Sequence, residues 1–417
     1  MGRSRAGAAR ALFVGCHGGV GRAVLAVIER SVPGRQLAER LDALLLVDRH
    51  DAGLPTVPAG ATLLPPTTVD SADTLRALIR EHAITTVVDV SSIDTVECTK
   101  TCDALGAHFL CTSVEEWPGQ ATIATDEAIA RLLPPHRPLL PNRSHLVGAG
   151  ANPGIVNALV FAAIEAMAGR VGVEATPEAL DLHAVLITEE DTTRDLAGED
   201  ARDVFAMTWS PPHCLEELFE PRAFAARNGQ VVDLGHRPVD AWYRARCGEA
   251  IIEGMAVPHE EVVTLARRLP SVEIGFLYRI PEAARRFLET PPADAGRDPR
   301  TWPTRKLYPP WTTALAGEDR VGVLLCSRRF GELWMGFRTD VSLGLQYGTN
   351  ATQLQVAAGV VAGWLQLGSR TGIHFVEDLD WRSYLEAVSQ ILGPPLVVHD
   401  RQATPLGLAE RRVEVAV

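Results

Sequence analysis

Val14-Gly15-Cys16-His17-Gly18-Gly19-Val20-Gly21-Arg22 fixes how the first third of this chain is read. The apolar run at 11–14 ends in glycines, and a helical pattern follows at 21–30. Glycines permit a tight turn and let the backbone approach a pyrophosphate, while the helix N-terminus supplies unpaired N–H groups and a partial positive charge. The spacing is GxxGxxG, which also closes turns in folds that bind nothing, so the next strand carries weight. It ends Leu44-Leu45-Leu46-Val47-Asp48, with a carboxylate where the ribose hydroxyls of a dinucleotide would lie. Gly15, Gly18, Gly19, Val20, Gly21 and Asp48 are therefore expected to hold NAD. Arg49 follows at once and suits a 2′-phosphate, so NADP stays open, and a solvated turn is the plain reading of Asp48.

Outward from this turn, short apolar runs at 43–47, 86–90 and 108–111 alternate with helical patterns near 72–82 and 95–105. That alternation predicts an α/β fold, a Rossmann-type doubly wound parallel sheet over residues 1–150. Between 151 and 345 the runs at 182–188, 230–234, 272–277, 321–327 and 333–338 are strand-like and widely spaced. They predict a second, mostly antiparallel α+β domain. The stretch 290–303, rich in Pro, Asp and Gly, reads as a loop or inserted excursion. At 350–367 a helix apolar nearly all round is expected to be buried and to complete the first domain near 350–375. Asn350 caps it, with Gln353 reaching back in a capping box. Residues 376–417 remain as a C-terminal segment.

The 417 residues, 46% of them hydrophobic, suffice for two cores. A net charge of −12 argues against nucleic acid or an anionic membrane as partner, since either needs clustered Lys and Arg. No run approaches the ~20 apolar residues of a membrane span. Arg3, Arg5 and Arg10 imitate a signal-peptide n-region, yet the apolar run after them stops at glycine, so a strand is expected there. Seven scattered cysteines, an odd number, point to reduced thiols in the cytoplasm. Cys98 and Cys102 could share a helix face, but too few ligands surround them, and no metal site is expected.

Segments after the carboxyl ends of parallel strands face the ligand crevice. Ser91 and Asp94 follow one such strand, Thr112 and Glu115 the next, so Ser91 and Thr112 join the cofactor set while Asp94 and Glu115 stand near a substrate or on the surface. Asn152-Pro153-Gly154 opens a helix, with Asn152 as N-cap and Pro153 at its first position. Glu189-Glu190-Asp191 follows a strand; crowded like charges raise one another's pKa and suit proton handling or an ammonium cradle, and an exposed acidic loop explains them equally.

Taken together, the glycine turn, 92–94, 112–117, 150–156, 187–192, Thr208-Trp209-Ser210, Gly275-Phe276-Leu277, 322–325, 334–338 and Asn350-Ala351-Thr352-Gln353-Leu354-Gln355-Val356 resemble bacterial homospermidine synthases and their saccharopine-dehydrogenase-like relatives, in the same order and over nearly the whole chain. The resemblance implies a homodimer and an NAD-dependent reaction at a carbon–nitrogen bond. An amine is oxidised to an imine, a second amine takes the place of ammonia, and the hydride returns from the retained cofactor. By the same resemblance Asp94, Glu115, Asn152, Glu189, Trp209 and Glu282 line the active site, Asn152 also touching the cofactor. Trp209 would offer its face to a cation; a core Trp is the plain alternative.

Two departures stand out. Ile280 occupies the place of the family's His, and Thr313 that of an Asp gripping the distal amine. Arg305 and Lys306 bring positive charge beside that second position. Pointing inward, they would favour a substrate carboxylate; on the surface they would not. Lys306 and Arg338 are accordingly candidate substrate residues. An opine- or saccharopine-type oxidoreductase acting on an amino acid is thus the alternative to the amine transferase, with a non-catalytic NAD-binding regulator as a third reading.

Overall fold

The first sheet grows from runs with no polar alternation, as strands buried on both faces require. In the computed structural model, which describes residues 9–413 apart from 51, 52, 55, 121, 122, 199–202, 291–297, 310 and 311, strand Ala9–Val14 lies between Leu41–Val47 and Thr86–Asp89. Seven parallel strands follow in the order of first residues Gly372, Ser144, His108, Thr86, Ala9, Leu41, Ala61. Helices Gly19–Arg30, Ala72–Glu81 and Thr95–Leu105 connect them. The parallel sheet expected from the sequence is present. Positions 1–8 and 291–297 of the segments discussed above lie outside the described residues.

The chain divides into two units, one running through Gly154 and including Val356–Ile391, the other made of Ile155–Gln355 and the residues from Leu392 on. Helix Ala351–Gln366 begins in the second and continues in the first. It is buried almost all round, and the Trp364 ring stacks on Phe13 at 6.4 Å between centroids. A Cβ on Gly359 would sit 2.0 Å from the Gly150 carbonyl oxygen, so only glycine lets this helix lie against the 150–154 turn. Tyr384, wholly buried, donates its hydroxyl to the Gly359 carbonyl at 3.1 Å.

In the second unit, strand Leu182–Asp191 runs at the centre of a mixed sheet. Glu318–Ser327 pairs with it antiparallel on one side and Glu273–Arg279 parallel on the other. The remaining pairings are antiparallel, out to Leu396–Asp400 at one end. Leu186, Leu277, Leu324, Tyr243 and Trp334 form one buried face. The Trp334 indole N–H donates to Thr188 Oγ1 at 2.8 Å, the partner a buried indole needs. Helix Ile155–Val171 packs against Glu318–Ser327 and Gly331–Asp340. All seven cysteines are buried free thiols, Cys98 and Cys102 among them.

Three local expectations are corrected. The central strand does not stop before the acids at 189–191 but runs through them, and all three are buried. Asn152 and Pro153 do not start a helix: their peptide bond is cis, Gly150 donates its N–H to the Pro153 carbonyl at 2.9 Å, and the helix begins at Ile155. Asn350 does cap its helix, accepting from Gln353 N–H at 2.8 Å. The Gln353 side chain, however, reaches Thr208 and Thr349 instead of closing a capping box.

Candidate active site

The glycine turn is shaped by contacts that exclude side chains. A Cβ on Gly21 would lie 2.1 Å from the Gly15 carbonyl oxygen, and Gly15 itself has φ +86° and meets Ser91. Helix Gly19–Arg30 therefore starts hard against the end of strand Ala9–Val14. Gly18 caps it without a side-chain hydrogen bond, leaving first-turn N–H groups for an anion. Both oxygens of Asp48 accept backbone N–H bonds, from His17 at 2.9 Å and His50 at 3.1 Å. These fix the carboxylate at the rim of the turn. Arg22 Nε donates to the His17 carbonyl at 3.0 Å and braces the loop.

At the next strand end, Ser91 donates both its N–H and its hydroxyl to Asp89 Oδ1, at 2.9 and 2.6 Å. Burial pushes the Asp89 carboxyl up to about 8, against the Ser91 bonds and with help from nearby Glu115. Sequence reasoning passed over Asp89, because the last residue of a strand gives no sign of which groups will close around it. Asp94 is buried and caps helix Thr95–Leu105 through Glu97 N–H at 2.8 Å, with Arg131 at 3.8 Å. Glu115 is half-buried and accepts the Ser113 hydroxyl at 2.9 Å. Thr112, on the segment leaving the next strand, and Asn152, in the cis turn, are both partly buried.

In the second unit the strand's twofold periodicity sorts the acids. Glu190 faces the side of Arg320 and Arg279, which reach its carboxylate at 2.9 and 3.3 Å. Glu189 and Asp191 face the other way. There Asp191 is paired across the sheet with Asp319, and Tyr278 is paired with Glu189. Asp191 and Asp319 are buried, and desolvation raises both carboxyls above the usual range, each pushed further by neighbouring acids. The Tyr278 hydroxyl is raised too, by burial and then by Glu189 and Asp191. Half-buried Trp209 donates its indole N–H to the Tyr278 hydroxyl at 3.2 Å.

Helix Pro211–Leu218 adds Cys214 and Glu217 to this neighbourhood. Protein surrounds the Glu217 carboxyl even though part of its residue reaches solvent. Desolvation pushes it up to about 8, His259 opposing and Glu260, Glu220 and Glu189 adding to the rise. His259 is a buried cation pushed up to about 10 despite desolvation, chiefly by Glu261, whose carboxylate lies 2.5 Å from Nδ1. Asp191 stood out in the sequence only as one of three crowded acids, and Glu217, His259, Tyr278 and Asp319 were missed there. They come from five separate segments, and only the sheet and its flanking helices gather them.

The segment 350–356 holds the cluster in place. Asn350 and Gln353 donate to the Thr208 carbonyl at 2.6 and 3.0 Å, and Gln355 donates to the Asp319 carbonyl at 3.0 Å.

The remaining sequence candidates lie elsewhere. Glu282 is exposed and paired with Arg286 along helix Glu282–Glu289, at 3.2 Å. Arg305 is bound to Asp195, and Lys306 is exposed with its Nζ 5.8 Å from the centre of the Tyr308 ring. Arg338 is exposed and paired with Glu318. The inward cations that would have favoured a substrate carboxylate are thus committed to protein acids or to the surface. Ile280 is a buried apolar side chain, and Thr313 is exposed.

No protein-family model matches the chain. A homospermidine synthase of Blastochloris viridis is 25% identical to it over 376 residues, covering 75% of this chain and 74% of that protein. Among solved structures, the homospermidine synthase of Legionella pneumophila in complex with NAD superposes with a TM-score of 0.76 at 17% identity, over 98% of each chain. The apo saccharopine dehydrogenase (L-Glu forming) of Saccharomyces cerevisiae reaches 0.50 at 11% identity, over 94% of this chain and 100% of its own. In sequence and fold, therefore, this chain is homospermidine synthase-like, within the saccharopine dehydrogenase-like fold.

Proposed function

We propose that this protein is an NAD-dependent enzyme that oxidises an amine to the imine level, joins it to a second amine and reduces the product. The observation that carries the reading is the sorting of charge in the second unit. Glu189, Asp191 and Asp319 share one face beside Trp209 and Tyr278, while Arg279 and Arg320 are bound to Glu190 on the other. A face of that kind suits an ammonium group and not a carboxylate.

The cradle of the first unit fits a dinucleotide. Its closest approach tolerates only glycine at position 21, the helix start offers free N–H groups, and Asp48 is held where ribose hydroxyls could donate to it. When bound, NAD supplies a hydride acceptor and then a hydride donor. Glu189 would pair with the substrate ammonium, and Asp191 beside it, its carboxyl raised by burial, would take up the proton an amine must shed before losing hydride. The Trp209 face would stabilise the cationic intermediate by roughly 1–2 kcal/mol where water is excluded. Asp89 and Glu115 are the corresponding proton-handling groups of the first unit.

The test is incubation of the purified protein with NAD⁺ and a panel of diamines and amino acids, read by mass spectrometry. A conjugated polyamine formed without added reductant is expected; a carboxylated conjugate, or no product from any diamine, overturns the reading. A homodimer in the cytoplasm belongs to the same proposal, supported by the likeness to homospermidine synthases and by seven buried free thiols. Light scattering on the purified protein tests the dimer.

A further inference from the structure

Two carboxyls and two hydroxyls of the second unit form an unbroken run. Thr208 Oγ1 donates to Asp191 Oδ2 at 2.6 Å, Thr208 and Thr352 hydroxyls lie 3.1 Å apart, and Thr352 Oγ1 is within hydrogen-bonding distance of Asp319 Oδ2. All four residues are buried. Three contacts need three protons, and the two hydroxyls supply only two. Once Thr208 donates to Asp191, the single Thr352 proton cannot serve both Thr208 and Asp319.

We propose that Asp191 and Asp319 carry one proton between them, held on the Asp319 end of a hydrogen-bond run through Thr352 and Thr208. Asp319 then donates to Thr352, Thr352 to Thr208 and Thr208 to Asp191, and every contact has its hydrogen. The surroundings select this end. The Asp191 carboxylate also accepts the Thr193 N–H at 2.8 Å, whereas Asp319 Oδ1 is buried with no hydrogen-bond partner among the described residues. An unpaired oxygen is far cheaper as the carbonyl of a neutral acid than as part of a carboxylate.

Glu189 shares the face of the pair, and Glu189 and Asp191 raise the Asp319 carboxyl most after burial itself; Glu190, turned to the opposite face, adds less. Tyr278, across the sheet, is raised by burial first and then by Glu189, Asp191 and Asp319. None of these groups brings positive charge that would let both aspartates ionise.

A concerted shift along the run moves the proton from Asp319 to Asp191 and the negative charge the opposite way, with no bond broken except O–H bonds that are re-formed. The pair thus offers one mobile charge beside Glu189. Its use toward an ammonium substrate rests on the function proposed above; the proton itself does not.

Infrared difference spectroscopy of the full chain near neutral pH tests the proton directly, through the C=O stretch of a neutral carboxylic acid and its shift in heavy water. Asp319→Asn, which keeps shape and a donor toward Thr352, is expected to remove one such carbonyl from the wild-type spectrum. The double variant Asp191→Asn/Asp319→Asn is expected to remove no more than that one. Thr352→Val, which deletes the middle hydroxyl, is expected to displace the band. No loss in Asp319→Asn, loss of two carbonyls in the double variant, or an unmoved band in Thr352→Val overturns the proposal. These readings require no turnover, so they stand or fall separately from the diamine assay.

Discussion

Gly21→Ala gives the most direct test of the cofactor cradle. The new methyl would sit 2.1 Å from the Gly15 carbonyl oxygen, 2.9 Å from Cys16 Cα and 3.0 Å from the Cys16 carbonyl carbon, all of them backbone atoms. Restoring even 3.0 Å to the oxygen requires about 0.9 Å of backbone displacement, the difference of those distances. Forced insertion of this kind costs roughly 1–3 kcal/mol. For a unit of this size that corresponds to a melting temperature lowered by roughly 2–12 °C. The same displacement withdraws the first-turn N–H groups from the anion they would hold. Loss of one charge-assisted hydrogen bond, about 1.5–3 kcal/mol, weakens binding roughly 10- to 100-fold. Titration of NAD⁺ by calorimetry, with a thermal melt of the same preparation, reads both quantities. Gly169→Ala is the control: in helix Ile155–Val171 its methyl meets nothing within 4 Å among the described residues, so stability should rise slightly and NAD affinity should not change. A Gly21→Ala protein with wild-type affinity and melting temperature would refute the assignment of this turn.

Glu189→Gln should abolish turnover of a diamine while leaving NAD binding at wild-type strength; an active variant removes Glu189 from the mechanism. Trp209→Ala should weaken use of a cationic substrate by about tenfold, the cation–π contribution, whereas Trp209→Phe keeps an aromatic face and should lose less. Steady-state kinetics showing equal losses would mean that the ring acts only through its hydrogen bond to Tyr278. Asp89 gives a pH signature. Its folded-state pKa, raised to about 8, exceeds that of the unfolded chain, near 4, so the native state holds the extra proton between them. Its contribution to stability is therefore full below about pH 4 and is lost as pH rises through 8. Thermal melts of the free protein from about pH 6 to 9 should fall less steeply in Asp89→Asn than in wild type, Glu217 supplying a residual slope. Parallel profiles would mean that Asp89 is ionised in the folded protein.

The segment Asn350-Ala351-Thr352-Gln353-Leu354-Gln355-Val356, the most distinctive in the chain, serves as scaffold in the second unit. The side-chain amides of Asn350, Gln353 and Gln355 donate to the backbone carbonyls of Thr208 and Asp319, and Thr352 with Thr208 links the two carboxyls. A buried polar network of this kind is stable only when its members are satisfied, which ties the helix start to the acidic face it supports.

What the sequence by itself determined is what local physics controls. The alternation of short apolar runs with helical periods dictated the parallel sheet. The glycines at 15 and 21 marked the tight turn between strand and helix, because turn geometry and helix capping depend on neighbours a few residues away. The buried helix 351–366 declared itself through apolar residues on every side.

The second site belonged to the tertiary structure. Three consecutive acids looked like the loop after a strand, since charged residues are rare inside one; pairing with Glu318–Ser327 drew them into the sheet and sent Glu190 to the arginines and its two neighbours to the opposite face. Asp319 lies far from Asp191 in the chain, and no spacing rule links them, so only the sheet register put the two carboxyls side by side. The cis peptide at Asn152 and the surface positions of Lys306, Arg338 and Glu282 were decided in the same way. Which face a side chain takes, and what meets it there, is set by packing between distant segments, and a linear pattern carries no term for that.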